Sequence, residues 1–335
     1  MISFNSIKSV VLSRGANAVL QYIVIILYGT FLSIEKFGEL SLLMIFVGIS
    51  FACIDFGTQN TVVTNTLKKI DKQRLQFLNL ILALIITILF QIFSFPLNNF
   101  LNTSDEFLYC FMLMPCFLII HSLSIVPYAR LLKAQKLNYL GWVDFIGVFS
   151  MFLSVIIFLL NNFSLYTFIL SLLVQAFVRL FILKIYLGRL ISFRLDFLSL
   201  KIYKKLLIQF SSNLVVYVSF RIDQLVIVRF INLEVLGQYS FLKQLLSYPI
   251  NLITAIFSQT VVPYFSRFRT NIKFVHTTLI QSITFISSLI LLYYLILFLM
   301  PPPFKDISEL WNFSSVLSVC IMLMCISRIF LDCLI

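Results

Sequence analysis

The chain has 335 residues, of which 61% are hydrophobic and only 11% charged, and its mean hydropathy is +1.03. A water-soluble protein of this length needs charged and polar residues over far more of its surface, so these values exclude the soluble classes. The formal charge of +12 comes from basic residues in short clusters between apolar runs. Such clusters are typical of membrane topology, whereas a nucleic-acid-binding protein would gather its excess charge on one soluble basic face.

Membrane-spanning helices need about 20 apolar residues each, and the sequence divides into ten such stretches. Runs such as residues 78–93 lack the alternation of barrel strands, so we expect an all-α integral membrane protein. The predicted spans are 16–33, 38–60, 75–96, 107–127, 142–160, 163–183, 207–231, 236–262, 275–299 and 311–333.

Basic residues fall almost entirely on one side of these spans. The loops of the other side hold only Lys36 and Lys305, beside several acidic residues. The positive-inside rule therefore places both termini in the cytoplasm. The residues on the basic side are Lys8, Arg14, Lys68, Lys69, Lys72, Arg74, Arg130, Lys133, Lys136, Lys184, Arg189, Arg194, Lys201, Lys204, Lys205, Arg267, Arg269 and Lys273.

An internal repeat relates the two parts of the chain. Shifting the sequence by 199 residues, the difference between positions 31 and 230, aligns FLSIEKFGELSLL with FINLEVLGQYSFL. Because six spans separate the two copies, the halves have the same orientation and are parallel repeats. We predict a six-helix lobe over 1–190, a basic cytoplasmic linker over 191–206 and a four-helix lobe over 207–335, two helices shorter than the first.

The aligned segments carry a family resemblance. With ACIDFGTQ at 52–59, ARLLKAQK at 129–136 and the stretch from Ser212 to Pro249, the chain resembles the Wzx-type polysaccharide or O-antigen flippases. These belong to the multidrug/oligosaccharidyl-lipid/polysaccharide exporter superfamily. The resemblance implies two MATE-like lobes of six helices each in the bacterial inner membrane, and we expect this chain to depart from it by lacking the last two helices of the second lobe.

The same resemblance implies a function in O-antigen, lipopolysaccharide or capsule biosynthesis. The protein would flip an undecaprenyl-pyrophosphate-linked oligosaccharide from the cytoplasmic to the periplasmic leaflet by alternating access. It would bind this lipid-linked substrate and membrane lipids, and act beside a polysaccharide polymerase and a chain-length regulator. We expect no cofactor, with H⁺ or Na⁺ coupling left open, and no nucleic acid partner.

Three charges are predicted to lie deep in the membrane. Asp223 and Lys243 are each ten residues from Leu233 at the turn between their spans, or about 15 Å along each helix. They share one depth and can neutralise each other. Arg221 is about 200° around the helix from Asp223, so we expect it to be the least compensated charge, in contact with a substrate anion. The alternative is that Arg221 bonds helix carbonyls or Asp55.

Other ionisable residues in spans have two interpretations each. Arg229 joins Arg221 and Lys243 in the predicted substrate-binding set, although it can also reach the interface beside Glu234. Asp55 either couples transport to an ion or caps a broken helix next to Gly57, and Asp223 is either a coupling residue or half of a structural ion pair.

Two prolines interrupt predicted spans. Pro115 and Pro249 each remove a backbone hydrogen bond, so they are candidate hinges or simply shape the bundle. The six cysteines and two histidines show no metal-ligand spacing, and we predict neither a metal site nor catalytic residues.

Two other functions compete with the flippase. A drug or metabolite exporter of the same superfamily would share the fold, but it should prefer acidic cavity residues for cationic drugs. A membrane polymerase or glycosyltransferase needs a large external loop, and no loop of the sequence is large enough.

Overall fold

The computed structural model describes residues 4–64, 67–134, 136–187 and 200–247. Within these ranges the chain is helical, with turns and short connections between the helices. The helices are α1 (Phe4–Phe31), α2 (Ile34–Asp55), α3 (Thr58–Thr64), α4 (Lys69–Leu101), α5 (Asp105–Lys133), α6 (Leu137–Leu160), α7 (Tyr166–Leu187), α8 (Leu200–Phe230) and α9 (233–247).

The predicted all-α membrane architecture is confirmed. Six helices of the described part are long and apolar enough to cross a membrane, namely α2 and α4 to α8. The helices extend past the predicted apolar stretches, as α4 does from Lys69 to Leu101, because charged and amide residues continue a helix into the membrane surface. The predicted spans 275–299 and 311–333 lie outside the described residues.

The second predicted span is interrupted, whereas the sequence indicated one helix over 38–60. Phe56 and Gly57 adopt left-handed conformations with φ of 45° and 73°, and the Phe56 N–H donates to the Ala52 carbonyl. The left-handed backbone ends α2 at Asp55, and α3 begins after these two residues, at Thr58. The apolar pattern continues through the break, which is why hydropathy alone missed it.

Helix α5 is the centre of the first lobe and packs against α2, α3, α4, α6 and α7. Its apolar side chains are buried on several faces, as expected of a helix surrounded by others. Aromatic edges add to this packing: the ring of Phe111 lies 5.2 Å from that of Phe46 and 4.6 Å from that of Phe90.

Two ends of the bundle differ in charge. The "basic end" is formed by the starts of α4, α6 and α8 with the ends of α5 and α7, which hold most of the described lysines. At the opposite end, the buried Glu39 carboxylate accepts hydrogen bonds from the Ser104 N–H and hydroxyl, at 2.5 and 2.7 Å, and so ties α2 to the start of α5. Beside it, Lys36 forms an ion pair with Glu106 at 3.0 Å and donates to Ser164.

The two repeats meet through a pair of glycines. A Cβ on Gly38 would collide with the Leu233 carbonyl oxygen, and a Cβ on Gly237 would collide with the Ile34 carbonyl oxygen. Residues 34 and 38 correspond to 233 and 237 in the repeat, so each half offers the same two backbone sites to the other. We call this the glycine contact; it brings the backbones of α2 and α9 together where any side chain would separate them.

Gly38→Ala and Gly237→Ala are each expected to destabilise the folded protein by about 1–3 kcal/mol, because the added methyl group meets backbone that cannot move alone. Thermal unfolding of the purified chain in detergent measures the change. Gly15→Ala is the matched control, since its Cβ would meet nothing within 4 Å. Equal unfolding temperatures for all three variants would contradict the close contact.

Candidate functional site

The structure brings Asp223 and Lys243 together across α8 and α9. The Lys243 ammonium lies 2.5 Å from the Asp223 carboxylate, which also accepts a hydrogen bond from the Tyr239 hydroxyl. Lys243 donates in addition to the Phe220 carbonyl at 2.8 Å. The direct contact shows that the two charges share one depth, and the pairing neutralises both where water is scarce.

Arg221 lies beside this pair with neutral partners. Its guanidinium donates to the Gln224 side-chain oxygen at 2.8 Å, and the Gln224 amide donates to Ser240 of α9 at 2.8 Å. The guanidinium also lies 6.0 Å from the centre of the Tyr217 ring. Among the described residues Arg221 has no carboxylate partner, neither Asp55 nor another. Its charge is thus the least compensated of the three.

The sequence predicts that the side chains of Arg221 and Asp223 point to nearly opposite faces of α8, yet in the structure both form a hydrogen bond with Gln224. Arg221 reaches one turn along α8 to Gln224, whose backbone N–H donates to the Asp223 carboxylate at 2.9 Å. The long, flexible Arg side chain thus offsets the angle between the two Cα positions. One connected group results, which we call the interface cluster: Tyr217, Arg221, Asp223, Gln224, Tyr239 and Lys243.

The interface cluster borders the contact between the two lobes. The Tyr217 hydroxyl donates to the carbonyls of Met44 and Ile45 in α2, at 3.3 and 3.1 Å. Gly48, one turn further, leaves room for the Tyr217 ring. Since Arg221 is nine residues from the end of α8, it lies about 14 Å inside the helix end, near the middle of a core about 30 Å thick.

Arg229 lies apart from the interface cluster. Its guanidinium stacks over the ring of Phe100 at the end of α4, 4.5 Å from the ring centre. It is eight residues beyond Arg221, or about 12 Å further along α8. The structure therefore does not bring Arg229 together with Arg221 and Lys243. Instead, Arg229 forms a cation–π contact between α4 and α8 at the end of the bundle opposite the basic end.

Asp55 has the position of a helix cap. Its carboxylate accepts a hydrogen bond from the Gln59 N–H at 2.9 Å, in the first turn of α3. The adjacent Phe56 ring stacks on Phe210 of α8 with centres 4.7 Å apart. Asp55 thus stabilises the helix break at the basic end of the lobe contact, away from the interface cluster.

Of the two candidate hinge prolines, only Pro115 lies in the part of the chain that the structure describes. Helix α5 continues without interruption through Pro115, which is buried. Pro249 lies outside the described residues. A hinge role for either proline stays a prediction.

A second charged group was missed by sequence reasoning. Asp144 of α6 pairs with Arg179 of α7 at 3.4 Å and accepts a hydrogen bond from Tyr128 of α5 at 2.8 Å. The Arg179 guanidinium also lies 4.4 Å from the Tyr128 ring centre. Asp144 is seven residues from the start of α6 and Arg179 eight from the end of α7. The equal-depth argument that pairs Asp223 with Lys243 would have found this pair too.

The described part of the chain holds no group of three or more His, Cys, Asp and Glu side chains able to bind a metal. The chemistry of the interface cluster is that of ion pairing and of anion binding by arginine and lysine.

Removing one partner of the Asp223–Lys243 pair should destabilise the protein by about 1–3 kcal/mol, because the remaining charge loses its neutralising contact. Asp223→Val with Lys243→Met should cost less than the sum of the two single changes. Thermal unfolding of the four proteins in detergent gives the coupling. Additive effects would show that the two side chains do not stabilise each other.

One known protein family matches most of the chain. The family described as "Polysaccharide biosynthesis protein" matches residues 30–308. Comparison with the curated proteins finds no match.

Solved structures of MATE proteins share the fold. The crystal structure of MATE in the bent conformation has a TM-score of 0.58 at 16% identity, over 98% of this chain and 82% of that one. A MATE in complex with MaL6 gives 0.57 at 13% identity, over 95% and 77%. An inward-facing multidrug resistance MATE family transporter of the MOP superfamily gives 0.50 at 14% identity, over 96% and 75%. The chain therefore belongs to the polysaccharide biosynthesis protein family, and it is a multi-pass membrane protein with the fold of MATE transporters.

Proposed function

We propose that the protein is a flippase for a lipid-linked oligosaccharide. It would move an undecaprenyl-pyrophosphate-linked repeat unit from the cytoplasmic to the periplasmic leaflet of a bacterial inner membrane, and it would catalyse no reaction of its own. The family match supports a place in polysaccharide biosynthesis, and the fold supports transport.

The internal repeat provides the observation that carries this proposal. The interface cluster has polar residues at 223, 224, 239 and 243, whereas the equivalent positions of the first half, 199 residues earlier, hold Val24, Ile25, Leu40 and Met44. Of these four, the first three are buried apolar side chains. Helix packing in this geometry thus needs no charge. Because charges at membrane depth are costly, those in the second half are best explained by function.

The sign of the charge favours an anionic substrate. Arg221 has neutral partners, and Lys243 lies close enough for the two positive charges to repel each other. A pyrophosphate group would lose water on entering the membrane and would regain hydrogen bonds from the planar guanidinium. Lys243 would assist when its contact with Asp223 opens. A cationic drug, the substrate of the competing exporter function, would meet repulsion at this position.

The two lobes contact each other near both ends of the bundle, an arrangement that is compatible with alternating access. The lobes touch at the glycine contact near one end and at Phe56 and Phe210 near the basic end. A transporter of this design would separate one contact while keeping the other. The excess of basic residues supports a cytoplasmic position for the basic end and for both termini. A polysaccharide polymerase and a chain-length regulator would act on the product at the other face.

Complementation tests the substrate and the role of Arg221 together. The 335-residue chain is expressed in a bacterium whose own O-antigen flippase is deleted, and surface polysaccharide is measured on gels at equal protein level. Arg221→Gln is expected to reduce surface polysaccharide roughly tenfold or more, since hydrogen bonds to charged groups are worth about 1.5–3 kcal/mol. Arg221→Lys should restore it only in part.

Lys204→Gln is the matched control, because it removes one exposed positive charge from the same helix outside the lobe contact. Full export by Arg221→Lys would rule out paired phosphate binding by the guanidinium. Export of cationic dyes without any restored polysaccharide would favour the drug exporter.

The cap geometry gives a separate expectation for Asp55. Asparagine also caps helices well, so Asp55→Asn should keep both stability and any dependence of transport on the proton gradient. Asp55→Ala, which cannot cap, should lose about 1 kcal/mol of stability. Transport in inverted vesicles with and without an uncoupler provides the measurement. Loss of gradient dependence in Asp55→Asn alone would instead assign ion coupling to this carboxylate.

A further inference from the structure

A cavity of about 300 Å³ opens at the basic end of the first lobe, away from the interface cluster. Four basic side chains from α4, α5 and the start of α6 line it: Lys72, Arg130, Lys133 and Lys136. Leu131, Ala134 and Leu187 form the apolar part of the wall. The volume is at the lower limit of ordinary ligand pockets, which hold about 300–1,000 Å³.

Three of the four basic side chains at the cavity have no carboxylate partner among the described residues. Lys72 is half-buried, and its ammonium is repelled by Arg130 and Lys133 nearby. Within the described residues, none of Lys72, Arg130 and Lys136 forms an ion pair with a carboxylate. Like charges that share a partly enclosed space favour a bound anion, which would lower their mutual repulsion.

Helix α6 adds to the positive potential. It begins beside the cavity at Lys136, whose side chain makes no capping hydrogen bond to the first turn. The first N–H groups of a helix have no partner within it, and they carry the positive end of the helix dipole. They would support an anion held by the four basic side chains.

We propose that this cavity binds the phosphate head group of an anionic phospholipid. The basic residues would contact the phosphate, and Ala134 and Leu187, the accessible apolar residues of the wall, would contact the glycerol and the start of the acyl chains. A free phosphate ion would gain nothing from the apolar part of the wall. Basic pockets between transmembrane helices suit such head groups, which are abundant in the cytoplasmic leaflet. Among the described residues that line the cavity, none belongs to α2, α8 or α9, so the site lies apart from the interface cluster.

Native mass spectrometry of the purified full chain tests the proposal. Phosphatidylglycerol and phosphatidylcholine are titrated into the detergent-solubilised protein, and the bound lipid is counted. We expect tighter binding of phosphatidylglycerol, weakened roughly 10- to 30-fold in the double variant Lys72→Gln/Lys133→Gln. The matched control is Lys204→Gln/Lys205→Gln, which removes the same charge from the same end outside the cavity, and it should bind as the unaltered chain does.

A third variant distinguishes the contribution of the cavity's volume to lipid binding from the contribution of its charge. Ala134→Phe keeps every basic side chain and fills the space, so it should also lose the bound lipid. Lys72→Arg/Lys133→Arg keeps the charge and should bind normally, which guards against a folding defect in the glutamine variant.

Three results would overturn the proposal. Equal weakening in the cavity variant and its control would show only general surface attraction. Unaltered binding by Ala134→Phe would place the lipid elsewhere. Displacement of phosphatidylglycerol by inorganic pyrophosphate would identify a site for small anions rather than for a lipid.

Discussion

An ionisable side chain at membrane depth is costly unless another group compensates it, and that constraint determines how several helices of this protein are paired. Asp144 with Arg179 joins α6 to α7, and Asp223 with Lys243 joins α8 to α9; at the end of the bundle, Lys36 with Glu106 joins α2 to α5. Each pair links two helices and fixes their relative depth, because a shift of one turn would leave both charges without a partner. Apolar packing alone, which Phe and Leu side chains satisfy in many registers, would specify these positions less well.

Hydropathy predicted the all-helical fold, because lipid leaves the backbone few choices. Distance from a turn predicted that Asp223 and Lys243 share one depth. Hydropathy did not reveal the break at Phe56 and Gly57, since it depends on two left-handed residues inside an apolar run, and the sequence raised it only as one of two interpretations of Asp55. The partner of Arg221 could not be predicted either, because a long side chain reaches several neighbours and the local packing decides among them. The group of Asp144, Arg179 and Tyr128 was within reach of the depth argument, applied to spans five and six.

The two halves share geometry more than chemistry. In the first half, the α1–α2 hairpin has an apolar interior at the positions where the α8–α9 hairpin has its charges. The buried carboxylate of Glu39 in the first half lies nearer the helix end and binds the start of α5 instead. At these positions the first lobe therefore has apolar side chains, and the second lobe has charged and polar ones. Such a division lets packing and recognition change independently during evolution.

The glycine contact also bears on the origin of the chain. Gly38 meets the carbonyl of residue 233, and Gly237 meets the carbonyl of residue 34, the same atom of the other copy. This reciprocity is what a two-fold axis produces in a homodimer. Each half therefore contains both sides of the contact, and a half-length ancestor inserted in one orientation would have been complementary to a second molecule of itself. Gene duplication and fusion would then have joined two subunits that already fitted, which explains why the segment shared by the two halves, 35–38 and 234–237, lies at the glycine contact rather than in the lipid-facing surface.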